Sequence, residues 1–409
     1  MEVRIKKDEI ILLFLTYILC LGLFINLAIL TNPIDEEAIK MGGIVCGVIT
    51  VSQILVRKFY PDGDKFLITF AGILSVIGIA VLYRLNSSVA LKQLIWYCVG
   101  SIIFIVCVSL ISQFNNYAKY EKLFFIMTMI FMPMALLLGK EINGAKNWVI
   151  IGNVGFQPSE FGKIAFVLYL ASALRKYEDK NDLKEDFNQL WKPALVVMFS
   201  LACLVMQKDL GSALIFFGIA ITMLYVATDK KKYVVICFVL FIVGSFLAYK
   251  LFPHVQKRIL IWRHPWDYTQ DESYQLVQGL YAIASGGMFG SGIGQGYPGF
   301  IPINTSDFIF AVICEELGMI FGIGIIIIYF LFFYRGMRAA FRITDRFSQL
   351  TTIGISSMIA CQVLVIIGGV FAVIPLTGIT LPLISYGGSS MITMFFALAI
   401  LQKISEEGY

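Results

Sequence analysis

Apolar residues in this chain form long runs, and short polar or charged segments separate one run from the next. A helix that crosses the hydrocarbon core of a bilayer needs roughly 20 mostly apolar residues. The runs that meet or approach this length predict about twelve transmembrane helices. They cover residues 10–30, 38–56, 66–83, 93–112, 123–139, 159–174, 193–207, 211–227, 234–251, 308–333, 350–373 and 389–402.

The composition of the 409 residues supports an all-α, polytopic membrane protein. Apolar residues make up 58% of the chain and charged residues 14%, whereas ordinary soluble domains have about 45–50% apolar and about 25% charged residues. A soluble core of this size would leave too little polar surface to cover itself. The eight cysteines lie inside apolar runs without a CxxC pair, and there are only two histidines, so neither a disulfide framework nor a zinc site is indicated.

Lysine and arginine residues lie mostly on one side of the predicted helices. If the N-terminus is cytoplasmic, the inside segments carry 21 of them and the outside segments carry 8. Cytoplasmic loops of membrane proteins carry such an excess, so we predict that both termini are cytoplasmic. The net charge of +5 is therefore an orientation signal, and we expect no nucleic-acid partner.

The longest predicted outside loop covers residues 252–307, and long loops without a domain of their own are often functional. Within it, residues 274–285 predict an amphipathic helix, because Leu276, Leu280 and Ile283 fall on one stripe at helical spacing. We expect this helix to lie in the outer membrane interface.

Ionisable residues inside membrane spans are costly and are therefore functional candidates. Asp307, at the outer start of the tenth predicted span, has two open interpretations. It could complement the positive end of a helix that Thr305 or Ser306 caps, or it could act as a general base at the mouth of the helix bundle.

Two adjacent carboxylates, Glu315 and Glu316, lie deeper in the same predicted span. They cannot both face one partner, and Lys163 is the candidate cation from another helix. We favour a structural, buried ion pair over a catalytic role for them.

Two glycine-rich segments could contact an anion. Residues 286–296 fail the GxGxxG spacing and follow no strand, which excludes a dinucleotide-binding loop. Their backbone amides could still hold an anion. Ser389 and Ser390 begin the last predicted helix, whose N-terminus could bind phosphate oxygens or could simply be a capped turn. Motifs for ATP hydrolysis, serine hydrolysis and zinc proteolysis are not present.

Four blocks of the sequence, in matching order, resemble the motifs of the SEDS family (shape, elongation, division and sporulation), the group of RodA, FtsW and SpoVE. The resemblance covers about residues 66–403. The blocks are GAKNW at 144–148 with QPSEFGK at 157–163, KDLGS at 208–212, GGMFGSGIGQG at 286–296 with SDFIF at 306–310 and EELG at 315–318, and TLPLISYGGSS at 380–390.

The resemblance implies a membrane glycosyltransferase that polymerises lipid II into peptidoglycan glycan strands beside a class B penicillin-binding protein. It implies a core of ten spans, residues 58–409, to which residues 1–57 add an N-terminal hairpin. It places the essential aspartate of the family on Asp307. Further matched or neighbouring positions, taken as substrate-binding or buried polar candidates, are Trp148, Glu160, Lys163, Asp209, Ser389, Ser390, Glu315 and Glu316.

Departures from the family motifs change the expected site. Thr305 stands where the family usually has histidine, and Ile303 where it often has glutamate; Lys208 replaces a proline. In this interpretation Lys163, and Lys257 and Arg258 of the long loop, offset the charge of the departing diphosphate. A divalent cation could share that task, although no ligand cluster in the sequence indicates one.

Two other functions stay open at this stage. Twelve spans with buried charges also fit a transporter that flips lipid II, although no convincing internal repeat supports one. The chain could instead be a scaffold whose partner does the chemistry. The sequence does not distinguish elongation, division and sporulation.

Overall fold

The computed structural model describes residues 2–111, 113–142, 144–152, 154–180, 182–270 and 273–408. Within these ranges the chain forms fourteen α-helices and three short β-strands. In chain order they are α1 (Glu2–Ile29), α2 (Glu36–Phe59), α3 (Lys65–Leu85), α4 (Ser87–Leu110), α5 (Glu121–Leu138), β1 (Lys140–Ile142), β2 (Ala145–Ile151), β3 (Val154–Phe156), α6 (Pro158–Leu174), α7 (Leu183–Met206), α8 (Leu210–Thr228), α9 (Lys231–Leu251), α10 (Pro253–Arg263), α11 (Tyr274–Gly286), α12 (Ile309–Arg342), α13 (Arg346–Val370) and α14 (Gly388–Glu407).

Eleven helices of the described ranges are long and apolar enough to cross a membrane, by length and composition. They are α1 to α5, α7 to α9 and α12 to α14. The predicted all-α, polytopic fold is confirmed, and eleven of the twelve predicted spans are among these helices. The other, at 159–174, forms α6, which has only 17 residues. At 1.5 Å per residue it is about 25 Å long, and nearly all of its side chains are buried among its neighbours.

The predicted loop 140–158 contains secondary structure that its sequence did not suggest. Strands β1, β2 and β3 form a small antiparallel sheet in that order, with Val149 opposite Phe156. Gly144 and Gly152 lie at the two turns with φ of 78° and 62°, a region that glycine enters without steric cost. Strands β1 and β3 have only three residues each, which is too short for an alternating pattern to stand out.

The described residues separate into two compact units. The first comprises described parts of 1–111, 274–336 and 380–409. Helices α3 and α14 are its most buried spans. The hairpin of α1 and α2 packs on α3, where Gln53 Nε2 donates a hydrogen bond to Thr69 Oγ1 over 2.8 Å.

The second unit comprises described parts of 112–273 and 337–379. Helix α6 lies at its centre and packs against α5, α8 and α13, with the rings of Phe166 and Phe216 4.9 Å apart. Helix α10 is tied to the segment after α13, because Trp262 Nε1 donates a hydrogen bond to Ala372 O over 2.7 Å.

The amphipathic helix predicted at 274–285 is confirmed as α11. Leu276 and Ile283 of its apolar stripe are buried. Gly279 allows this close packing, because a Cβ added there would lie 2.4 Å from the ring of Phe308. The apolar stripe therefore faces protein at the start of α12.

Candidate functional site

Asp307 lies half-buried in the turn that leads into α12 of the first unit. The hydroxyl of Ser306, one of the two predicted helix caps, donates a hydrogen bond to Asp307 Oδ1 over 2.9 Å. The turn begins at Ile303, whose φ of 53° is uncommon for a residue with a branched side chain. A strained turn of this kind is found where the surrounding structure holds it in place.

The segment 380–390 supplies that support. Tyr386 N donates a hydrogen bond to Thr305 O over 2.9 Å, and Ser385 Oγ donates one to Ser306 O over 2.6 Å. The fold thus joins two of the motif blocks that the sequence analysis treated separately, and it fixes the backbone on the N-terminal side of Asp307.

Gln93 of α4 is a site residue that the sequence analysis missed. Its amide donates to Ser385 O over 3.0 Å, and its Oε1 accepts from Gly387 N over 3.2 Å. The side chain is 1% exposed. A glutamine at the first position of an apolar run was the available signal, because buried amides in proteins are nearly always hydrogen-bonded.

Ser389 and Ser390 lie in the first turn of α14 and are buried. Thr380 Oγ1 donates a hydrogen bond to Ser390 Oγ over 3.3 Å. The preceding Gly388 contacts Trp96 so closely that an added Cβ would lie 2.6 Å from the indole. The glycine turn therefore fits a helix start packed under an aromatic ring.

Glu315 and Glu316 are buried, as predicted, but their partners differ from the prediction. Glu316 forms an ion pair with Arg84 of α3, with Nε and Oε1 3.2 Å apart, and Glu315 Oε1 accepts a hydrogen bond from Tyr297 N over 2.9 Å. The predicted ion pair with a cation from another helix is present for Glu316, but the cation is Arg84; Lys163 pairs with Glu160 instead, so the prediction of Lys163 as the partner is wrong.

Helix α12 is interrupted just after the two glutamates. Gly318 has φ 86° and ψ 166°, so the helix breaks there and resumes at the next residue. The segment 286–296 fills the break: Ser291 N donates to Glu315 O over 2.9 Å, and Met319 N donates to Gly287 O over 3.0 Å. Some backbone amides of this glycine loop were candidates for binding an external anion. They instead donate hydrogen bonds to carbonyl and carboxylate oxygens of the chain itself.

In the second unit, Lys163 of α6 is 2% exposed and donates hydrogen bonds to two side chains. Its Nζ lies 2.8 Å from Glu160 Oε1 and 2.8 Å from Gln362 Oε1. Glu160 is one helical turn away, so the two matched positions form a buried ion pair, and Gln362 of α13 completes it. Neutralisation by a close partner is how a protein tolerates a buried lysine.

Asp209 caps the N-terminus of α8 by accepting a hydrogen bond from Ser212 N over 3.0 Å. Its Oδ2 also accepts from Asn147 Nδ2 over 3.2 Å and from Gln157 Nε2 over 3.0 Å. Two of the four motif blocks therefore meet at one carboxylate. Trp148 follows Asn147 on β2 and is half-buried.

Lys257 and Arg258 lie on α10 of the long loop. Arg258 Nη1 donates hydrogen bonds to Leu376 O over 3.0 Å and to Thr377 O over 3.2 Å, so this guanidinium fixes the segment after α13. Lys257 is exposed. Burial, with Arg258 and Lys208 nearby, lowers the pKa of His254 from its usual 6.5.

A divalent cation would need several oxygen or nitrogen ligands close together among the residues that the structure describes. In that part of the chain, no three His, Cys, Asp or Glu side chains come together in a way that could hold a metal ion. No chemical step is therefore assigned to a divalent cation.

Comparison with known proteins identifies the family. The profile of the cell cycle protein family of FtsW, RodA and SpoVE matches residues 65–409. The peptidoglycan glycosyltransferase RodA of Mycobacterium tuberculosis is 32% identical over 382 residues, 87% of this chain and 80% of that protein. Stage V sporulation protein E of Bacillus subtilis is 32% identical over 365 residues, 85% of this chain and 98% of that protein.

Solved structures show the same fold. A chain from a peptidoglycan synthase complex that coordinates polymerization and crosslinking has a TM-score of 0.73 at 24% identity, over 85% of this chain and 98% of that one. The crystal structure of RodA from Thermus thermophilus has a TM-score of 0.62 at 24% identity, with the same coverage. Because the profile covers most of the sequence and full-length relatives share about a third of their residues with it, the chain belongs to the FtsW, RodA and SpoVE family, the SEDS proteins.

Proposed function

We propose that this protein is a peptidoglycan glycosyltransferase of the membrane, which polymerises lipid II into glycan strands. Relatives that match most of the chain carry the name peptidoglycan glycosyltransferase. The observation within the structure that supports this function best is the setting of Asp307: a half-buried carboxylate at a helix start, with its backbone held by the 380–390 segment.

The proposed reaction is an attack by the 4-hydroxyl of an acceptor sugar on the anomeric carbon of the donor glycan. Asp307 would remove the hydroxyl proton as general base, which requires an oxygen-to-oxygen distance of about 3 Å in the bound complex. The bond to undecaprenyl diphosphate then breaks, and the diphosphate leaves with its charge. The hydrogen bond from Ser306 would hold the carboxylate in one orientation.

Cationic and amide groups near a departing diphosphate would stabilise the charge that develops there. We propose Arg258 and the exposed Lys257 for this role. The N-terminal turn of α14, with Ser389 and Ser390, is the proposed contact for phosphate oxygens. Trp148, Glu160, Lys163 and Asp209 remain proposed substrate contacts, and the bonds already made by the last three favour an orienting role for them.

We further propose a class B penicillin-binding protein as partner and a site on the extracytoplasmic side of the plasma membrane. The lysine and arginine bias of the loops supports that orientation. The division into a hairpin of residues 1–57 and a core of residues 58–409 is also proposed; the family profile begins at residue 65.

The test is glycan polymerisation from purified lipid II, with and without the transpeptidase partner. We expect polymer from the native protein and none from Asp307→Asn, which keeps the shape of the side chain but is not a base. Asp267→Asn is the matched control, because Asp267 is an exposed loop aspartate. A native-like unfolding temperature for both variants excludes misfolding. Polymer at the native rate from Asp307→Asn would refute the role of the carboxylate.

A lipid II flippase is a second candidate, favoured by the interruption of α12 at Gly318 beside Glu315 and Glu316. Broken helices with charged residues at membrane depth are typical of transporters. Translocation of labelled lipid II across liposomes without any polymer would support that function over glycan synthesis.

A further inference from the structure

A cleft of about 630 Å³ lies in the second unit between α5, α6 and α7. The cleft lies near the start of α5 and the end of α6, beside the N-terminal half of α7. None of its lining residues belongs to the candidate site. Its volume is in the range of sites that bind small organic ligands, about 300–1,000 Å³.

The cleft has an apolar wall and a charged mouth. The wall consists of Phe125, Met129, Leu195, Val196 and Phe199. Three of these are exposed in the isolated chain although they are large and apolar: Leu195 is 58% exposed and the two phenylalanines are each 39% exposed. A surface of this kind on a span faces lipid in a membrane.

Two lysines, Lys122 and Lys192, lie at the mouth and are exposed. In the part of the chain that the structure describes, neither of them has an acidic partner within ion-pair distance, whereas the neighbouring Glu121 is paired with Lys176. The mouth therefore carries a net positive charge. Trp191 beside it is 41% exposed, and tryptophan side chains are enriched at the level of lipid headgroups.

Tyr169 of α6 provides independent evidence for a polar ligand. The residue is 4% exposed and lines the cleft, with its ring 5.7 Å from that of Phe125. Among the described residues its hydroxyl has no hydrogen-bond partner. Because Tyr169 lines the cleft, a ligand atom in the cleft can accept the hydrogen bond of its hydroxyl, and such a bond is stronger when the acceptor is charged.

We propose that this cleft binds one anionic phospholipid of the adjacent leaflet. The phosphate lies between Lys122 and Lys192 and accepts the hydroxyl proton of Tyr169 in a hydrogen bond, and one acyl chain lies along Phe125, Met129 and the α7 wall. Basic pockets between spans bind anionic headgroups in this way. The apolar wall distinguishes a lipid from a free anion, because a soluble phosphate would leave that surface uncovered.

The test uses the full-length protein in detergent, titrated with palmitoyl-oleoyl phosphatidylglycerol and observed by native mass spectrometry. Phosphatidylcholine with the same chains is the control lipid. The variant Lys122→Gln/Lys192→Gln should bind phosphatidylglycerol about 30-fold more weakly, which corresponds to about 2 kcal/mol, or about 1 for each lysine. The matched control, Lys184→Gln/Lys231→Gln, removes two exposed lysines outside the cleft and should leave the affinity unchanged.

A second variant, Tyr169→Phe, keeps the ring and removes only the hydroxyl. We expect about tenfold weaker binding from the loss of one hydrogen bond to a charged group. Equal affinity for phosphatidylcholine, or a loss in the double variant no larger than in its control, would overturn the proposal. Displacement of the lipid by an equal concentration of glycerol 3-phosphate would also overturn it, because the site would then bind the free anion.

Discussion

The contact between the 286–296 loop and the broken helix α12 predicts a graded effect of single methyl groups. Gly286 closes α11, and a Cβ added there would lie 2.2 Å from Cys314 O and 2.7 Å from the Cα of Glu315. Both are backbone atoms of α12, so they cannot rotate away. The variant Gly286→Ala must therefore separate the loop from the helix.

The magnitude follows from the steric overlap alone, because Gly286 has no positive φ. Overpacking by one methyl group costs about 1–3 kcal/mol, and a contact of 2.2 Å with backbone belongs at the upper end. We expect Gly286→Ala to lower the free energy of unfolding by about 3 kcal/mol. Gly287, one residue further, has φ 56° but open space around it, so Gly287→Ala should cost only the backbone strain, about 1–2 kcal/mol.

Gly299→Ala is the matched control in the same long loop, because nothing lies within 4 Å of its added Cβ and its φ is not positive. The assay is equilibrium unfolding of the purified variants in detergent, followed by tryptophan fluorescence and repeated at two protein concentrations. The expected order of stability is Gly299→Ala, then Gly287→Ala, then Gly286→Ala. If Gly286→Ala is as stable as Gly299→Ala, the close approach of loop and helix does not stabilise the fold, and the reasoning fails.

Two further predictions concern the turn before α8 and the loop helix α10. Lys208 has φ 63°, and its amide donates a hydrogen bond to Val205 O over 3.0 Å. Lys208→Pro should therefore lower the free energy of unfolding in detergent by about 3 kcal/mol or more, whereas Lys208→Gly should lie within about 1 kcal/mol of the native protein. Equal stability of the two variants would contradict the turn geometry. The lowered pKa of His254 means that the unfolded chain binds more protons than the folded protein, so the unfolding free energy should fall as the pH drops below 6.5 towards the pKa of the folded state. Unfolding curves at stepped pH should show this decline in native protein and less of it in His254→Gln, and an identical decline in both would exclude His254 as its source.

The spans could be predicted from sequence because the bilayer imposes one length on every crossing helix. The interruption at Gly318 could not. A glycine inside an apolar run looks the same whether it faces lipid or breaks the helix, and its φ of 86° is held by hydrogen bonds from a loop about thirty residues earlier in the chain. The short sheet of β1 to β3 was missed for a related reason: its strands are stabilised by pairing with one another, and two of the three have only three residues, fewer than an alternating pattern needs.

The candidate site was predictable in its residue types but not in its pairings. Asp209 stands between two apolar runs, and a turn with a helix cap follows from that position. The partner of Glu316 was not predictable, because the sequence shows which charges are costly and tertiary packing decides which opposite charge is near. Arg84 lies just outside the predicted span 66–83. The role of Gln93 depends on two backbone groups almost three hundred residues away.

The interrupted helix also has a consequence for how the protein is made. The part of α12 before Gly318 has nine residues and is about 14 Å long, less than half of the roughly 30 Å hydrocarbon core. It cannot cross a bilayer by itself, and its last carbonyl groups have partners only once the 286–296 loop has docked. We therefore expect two stages for this region: insertion of the long apolar segment after Gly318, followed by docking of the short preceding helix against the 286–296 loop. Defects in the loop should lower the yield of native protein in the membrane while leaving its topology intact.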